Sequence, residues 1–175
     1  YSNEEALVAY SILGGIPLYL SLFDDSISIK ENVIKNCLST TGYLFNEIET
    51  LLRMELKETY FYKNIMLAIN AGASTFNSIK DEVDEEAAKV AKYMNVLIHL
   101  GFIKKEVPCG EKEKSRNSLY SICDNYFAFY FAFIFKHQNM LNGLISPELH
   151  YEREFTKEKL NSFIGLRFEA MCETY

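Results

Sequence analysis

Three amphipathic segments stand back to back at Tyr60–Ala71, Thr75–Glu82 and Glu85–Leu100, and two short β-prone stretches, Phe102–Val107 and Ser118–Ile122, follow around a charged loop. This order constrains the fold more than any other feature of the chain. In the first segment Phe61, Ile65, Ala68 and Ile69 recur at helical spacing and stop at Gly72. Ser74 or Thr75 can cap the second, whose Phe76, Ile79 and Val83 share one face. The third has a wide inward stripe of Ala87, Val90, Ala91, Met94, Leu97 and Ile98, with Ala88, Lys92, Asn95 and His99 on the opposite face. Such a run predicts a three-helix helix-turn-helix with a two-stranded wing. That architecture binds or relays; it does not by itself do chemistry.

The flanks are helical by the same logic. Glu4–Leu13 ends at Gly14-Gly15, and Pro17 suits the first turn of a short helix, Pro17–Phe23. Ser28-Ile29-Lys30-Glu31 has the form of a capping box, and Phe45–Lys57 carries Ile48, Leu51 and Leu52 on one side. Asp124 is placed to cap a helix over Asn125–Lys136, apolar almost all round and therefore buried. Leu141–Phe155, with Pro147, reads as an irregular connector, and a last helix carries Phe163, Ile164, Phe168 and Met171. The fold class expected is mainly α with a small β wing.

Composition agrees with a folded interior: 49% of the 175 residues are apolar and 24% charged, with 13 Phe and 12 Tyr. The longest apolar run, Tyr126–Phe135, is half the ~20 residues a bilayer span requires, so no membrane partner is expected. Net charge of −6 argues against a dedicated nucleic-acid binder. Cys37, Cys109, Cys123 and Cys172 lie far apart without metal-ligand spacing, which predicts reduced thiols in the cytoplasm. The chain opens without Met and closes inside a helical pattern, Leu160–Tyr175, as a piece of a longer protein would.

Several short motifs stand in a fixed order: Gly14-Gly15-Ile16-Pro17-Leu18-Tyr19-Leu20, Leu44-Phe45-Asn46-Glu47 with Leu51-Leu52-Arg53-Met54-Glu55-Leu56, and Ala71-Gly72-Ala73 before Ser74-Thr75. Leu100-Gly101-Phe102-Ile103, Tyr120-Ser121-Ile122-Cys123-Asp124 and Gly165-Leu166-Arg167-Phe168-Glu169 follow. In this order they resemble a family of prokaryotic, especially archaeal-type, AAA+/STAND ATPases with a C-terminal restriction-endonuclease-like domain. The resemblance implies a helical lid over 1–58, a winged helix-turn-helix over 59–123, and a helical segment, 124–175, leading into the nuclease-like domain. It also implies an upstream P-loop domain that binds ATP and Mg²⁺. This chain contains neither G-x-x-x-x-G-K-[ST] nor a Walker B strand, and Tyr130 stands at about the place of a family Trp.

By resemblance, Gly14, Gly15 and Pro17 belong to the lid that closes over nucleotide; the residues alone read as a helix–helix turn with a capping Gly and a Pro in the first turn. For DNA, the approach to the third helix is acidic, with Asp81, Glu82, Asp84, Glu85 and Glu86 ahead of Lys89 and Lys92. Phosphates are repelled there, so DNA contact would fall to Lys104, Lys105, Lys112, Lys114 and Arg116 of the wing, opposed by Glu106, Glu111 and Glu113. Glu169 matches a position that could serve as a nuclease-like carboxylate, and otherwise reads as an exposed helical side chain. His99, His137 and His150 are each isolated in sequence, so no metal site is expected, and no catalytic set is complete. The function expected is that of a relay between nucleotide state and the chain's own flanking domains or a protein partner. A DNA-binding regulator and the front of a nuclease are the alternatives.

Overall fold

Hydroxyl and carboxylate side chains cap the first turn of several helices of this chain. In the computed structural model, which describes residues 1–108, 110 and 117–173, α1 (Asn3–Leu13) opens with a capping box of Ser2 and Glu5. Next come α2 (Pro17–Ser21) and α3 (Ile29–Val33), the latter started by the expected Ser28–Glu31 box. α3 runs straight into a π-helical turn, Ile34–Leu38, and a 3-10 turn, Tyr43–Asn46, leads into α4 (Glu47–Glu55). α5 (Thr59–Asn70), α6 (Phe76–Val83) and α7 (Ala87–His99) precede strands β1 (Ile103–Glu106) and β2 (Leu119–Ile122). The chain continues through α8 (Asn125–Phe133), α9 (Gln138–Leu141), α10 (Pro147–Glu154) and α11 (Lys157–Cys172). The fold is mainly α with a small β wing.

Two compact units divide these elements: residues 1–51 with 133–175, and residues 52–132. The first therefore contains residues from both ends of the chain. Within it α1 lies against α11 and α10 against the π-helical turn. Leu13, Leu38, Leu44, Phe45, Ile48 and Ile134 are its most deeply buried apolar side chains. Asn32 is also fully buried, and its carboxamide holds the preceding loop: Oδ1 accepts from Asp24 N at 2.8 Å while Nδ2 donates to Asp24 O at 2.7 Å and Tyr1 Oη at 2.8 Å.

The second unit packs α5 against α6 and α7, with β1 and β2 antiparallel, Ile103 opposite Ile122 and Glu106 opposite Leu119. The segment before α6 adds a short third edge, since Thr75 bridges Leu119 and Tyr120 N donates to Ser74 O at 2.8 Å. Ile65, Met66, Ile79, Val90, Leu97, Ile103, Tyr126 and Tyr130 fill the interior. As expected, Thr75 caps α6 and the Asp124 carboxylate accepts from Phe127 N at 2.9 Å to start α8.

Two expectations change. Residues 147–154 are helical rather than irregular: Ser146 accepts from Leu149 N and Pro147 occupies the first turn, where its missing N–H costs nothing. The third helix of the second unit starts at Ala87 instead of Glu85, because Asp84 turns left-handed at φ 54 and closes α6 first.

Candidate functional site

Gly14 ends α1 with φ 69, a conformation that favours glycine, and its N–H donates to Tyr10 O at 2.8 Å. Gly15 is exposed beside the Tyr10 ring, and Pro17 begins α2, which has only 5 residues. So short a helix aligns few peptide dipoles and makes a weak anion site at its N-terminus. Around this corner Ile16, Leu18 and Leu20 are exposed, whereas Tyr19 is buried and donates through its hydroxyl to Glu47 Oε1 at 3.0 Å. That bond anchors α2 on α4 and leaves its apolar side chains outward.

On α7, Ala88, Lys92, Asn95 and His99 form the expected exposed face. Lys89 does not join it. Its ammonium pairs with Glu85 at 2.8 Å and sits over the Phe61 ring at 3.5 Å from the centroid. Phe61 in turn stacks on Tyr93, whose hydroxyl donates to Glu58 at 2.8 Å. The only cation in the first turn of α7 is thereby tied inward, and the surrounding carboxylates dominate the approach to the helix.

On the wing, β1 carries Lys104 and Lys105, and Lys104 Nζ donates to Glu106 Oε1 at 2.9 Å. Lys112, Lys114 and Arg116 lie outside the described residues, as does Cys109. Glu169 is exposed on α11. Among the described residues no group of three or more His, Cys, Asp or Glu side chains could hold a metal ion.

One cluster escaped the sequence reading, which treated His137 and His150 as isolated. Their rings lie 5.0 Å apart, His150 is 2% exposed, and its Nε2 lies 2.9 Å from the Phe133 carbonyl oxygen. Burial pushes the His150 imidazole below the usual histidine range. Glu154 approaches His137 Nε2 at 3.6 Å and accepts from Lys159 Nζ at 2.9 Å, and that hydrogen bond holds its carboxyl below the ordinary carboxylate range. The thirteen-residue separation in sequence hides the pair, and the helix that brings His150 back has no apolar stripe to announce it.

Comparison with known proteins adds one relative. No protein-family model matches the chain, and no solved structure matches it. It is similar to an uncharacterized protein, MJECL04, of Methanocaldococcus jannaschii, with 28% identity over 172 residues. The similarity covers 98% of this chain and 38% of that protein, so the chain spans well under half the length of the curated relative it matches.

Proposed function

We propose that this chain is the relay portion of an ATP-binding regulatory ATPase, coupling nucleotide state in a P-loop domain to contacts made by a winged helix. Charge at the start of α7 carries this reading. Lys89 is bound to Glu85 and the Phe61 ring, and Glu85, Glu86 and Asp84 surround the end of the helix that a DNA reader would insert into a groove. A surface of that sign suits a protein partner or a neighbouring domain better than a phosphate backbone. The ordered motifs from Gly14 to Glu169 support the ATPase context, and the greater length of the archaeal relative leaves room in such a protein for a nucleotide-binding domain. In this reading Gly14, Gly15 and Pro17 belong to the lid, while ATP and Mg²⁺ bind the P-loop domain.

The reading places the protein in the cytoplasm. Among the described residues no helix is long and apolar enough to cross a membrane.

Equilibrium ATP binding and phosphate release, measured on the full-length gene product and on residues 1–175 alone, test the proposal. The full-length protein is expected to bind ATP and the 175-residue chain to show neither activity. A full-length protein that binds no nucleotide, or hydrolysis by residues 1–175 alone, overturns it.

A further inference from the structure

The His137–His150 cluster has no part in the relay argument, and its geometry points to a separate device. A carbonyl oxygen only accepts, so His150 Nε2 must carry the proton that meets Phe133 O at 2.9 Å. The bond fastens α10 to the last residue of α8. Around the imidazole the interior is aromatic: Phe155 stands edge-on at 6.2 Å and itself stacks on Phe133 at 4.5 Å.

Charged groups approach from each neighbouring element. His137 faces His150 from the 3-10 turn Phe135–His137, Glu154 from its own helix, and Lys159 from α11. On the side of α3 and the π-helical turn, Lys30 pairs with Glu152 and lies 5.4 Å from the Tyr151 ring centroid, while Lys35 is exposed.

We propose that His150 and His137 form a pH-sensitive latch, which holds α10 and the start of α11 against the end of α8 in neutral solution and releases them on mild acidification. A proton arriving at Nδ1 leaves the bond to Phe133 O in place and even strengthens it. Against that gain stand the loss of hydration of a buried imidazolium and repulsion from His137 and Lys159. Glu154 cannot offset these in full, because its charge is already shared between Lys159 and His137.

The sign follows from linkage. Burial holds the folded His150 below its unfolded value of about 6.5, so the unfolded or opened segment binds the proton more readily. The stabilising contribution is whole above about pH 6.5 and is lost as pH falls toward the folded value. Glu154 is displaced the same way from the carboxylate range, so it stays ionised through this window and does not drive the opening.

Amide-exchange protection factors across Pro147–Leu160 of the whole chain, compared at pH 7.5 and 5.5, test the latch. In the parent chain they should fall several-fold and at most about tenfold, since pH 5.5 lies about one pH unit below the unfolded value and each such unit shifts a one-proton equilibrium up to tenfold. His150→Gln retains an N–H donor for Phe133 O but cannot titrate, and should show less than about a twofold fall on the same basis. His137→Gln removes the repelling neighbour and should move the opening to lower pH. Unchanged protection in the parent chain, or an undiminished fall in His150→Gln, overturns the proposal. Should His150→Gln fail to fold, NMR titration of the His150 ring in the parent chain decides: titration below the ordinary value upholds the latch, and titration at or above it refutes it.

Discussion

Gly42 offers a test in which two physical effects have opposite signs. Its backbone is ordinary, with φ −71 and ψ 139, so alanine fits its dihedrals without strain. On backbone entropy alone Gly42→Ala should stabilise the chain by about 0.4–1 kcal/mol, by restricting the unfolded state. The space around it says otherwise. An added Cβ would stand 2.5 Å from Asn36 O and 2.6 Å from Lys35 O, well inside the 3.4 Å at which ordinary contact begins. Both neighbours are backbone atoms of the π-helical turn and cannot swing aside as a side-chain tip can.

Overpacking of this kind costs about 1–3 kcal/mol, which exceeds the entropic gain. The net expectation is a loss of roughly 1–2 kcal/mol, or a fall in Tm of roughly 2–8 °C for a chain of this size. Gly165 is the control. It lies within α11, and its added Cβ would meet nothing within 4 Å, so Gly165→Ala should gain the ~0.8–1 kcal/mol that separates the two residues in a helix. Denaturant titration followed by circular dichroism, run on both variants beside the parent, reads the two signs directly. If Gly42→Ala proves as stable as the parent while Gly165→Ala behaves as expected, the close approach of the turn carries no energetic cost and the reasoning fails.

For DNA, duplex binding at physiological salt should be weak or undetectable, and any low-salt binding should disappear in the double variant Lys104→Glu, Lys105→Glu; tight, sequence-selective binding in a mobility-shift titration over several salt concentrations would replace the relay reading with DNA recognition. Alkylation of the native chain without reductant should modify exposed Cys123 and Cys172 quickly and the fully buried Cys37 only after unfolding, and mass spectrometry showing rapid labelling of Cys37 would contradict its placement.

What the sequence disclosed was local. Ser28 with Glu31, Thr75 with its helix, Asp124 and Gly14 are each legible because a cap and the helix it serves are neighbours in the chain. The inward stripe of α7 was legible because Val90, Met94 and Leu97 repeat at helical spacing, and all three are buried. Features that depend on distant partners were hidden. Nothing near Asn32 indicates that Tyr1 and Asp24 will fold back onto its amide. Nor does the spacing of Lys89 show that its ammonium will sit over Phe61, which changes the charge offered at the start of α7 without changing a residue. α10 was missed because only His150 among its residues is buried, leaving no periodic apolar signal, although Ser146-Pro147-Glu148 carried a readable start.

The π-helical turn has a further meaning for how this chain tolerates change in length. Ser39 N reaches back five residues to Ile34 O, where an α-helix would reach back four. The turn thus accommodates one residue more than an α-helical path would, and Asn36, Cys37 and Leu38 are buried in succession along it. Elsewhere in a helix, deleting one residue rotates everything beyond it by about 100° and carries the apolar face into water. Here the wide turn can instead close to an α-helical one, so that Asn32 and Val33 before it and Leu44 and Phe45 after it keep their places in the interior. Residues 34–38 are thus the place where the loss of one residue has an α-helical path to fall back on.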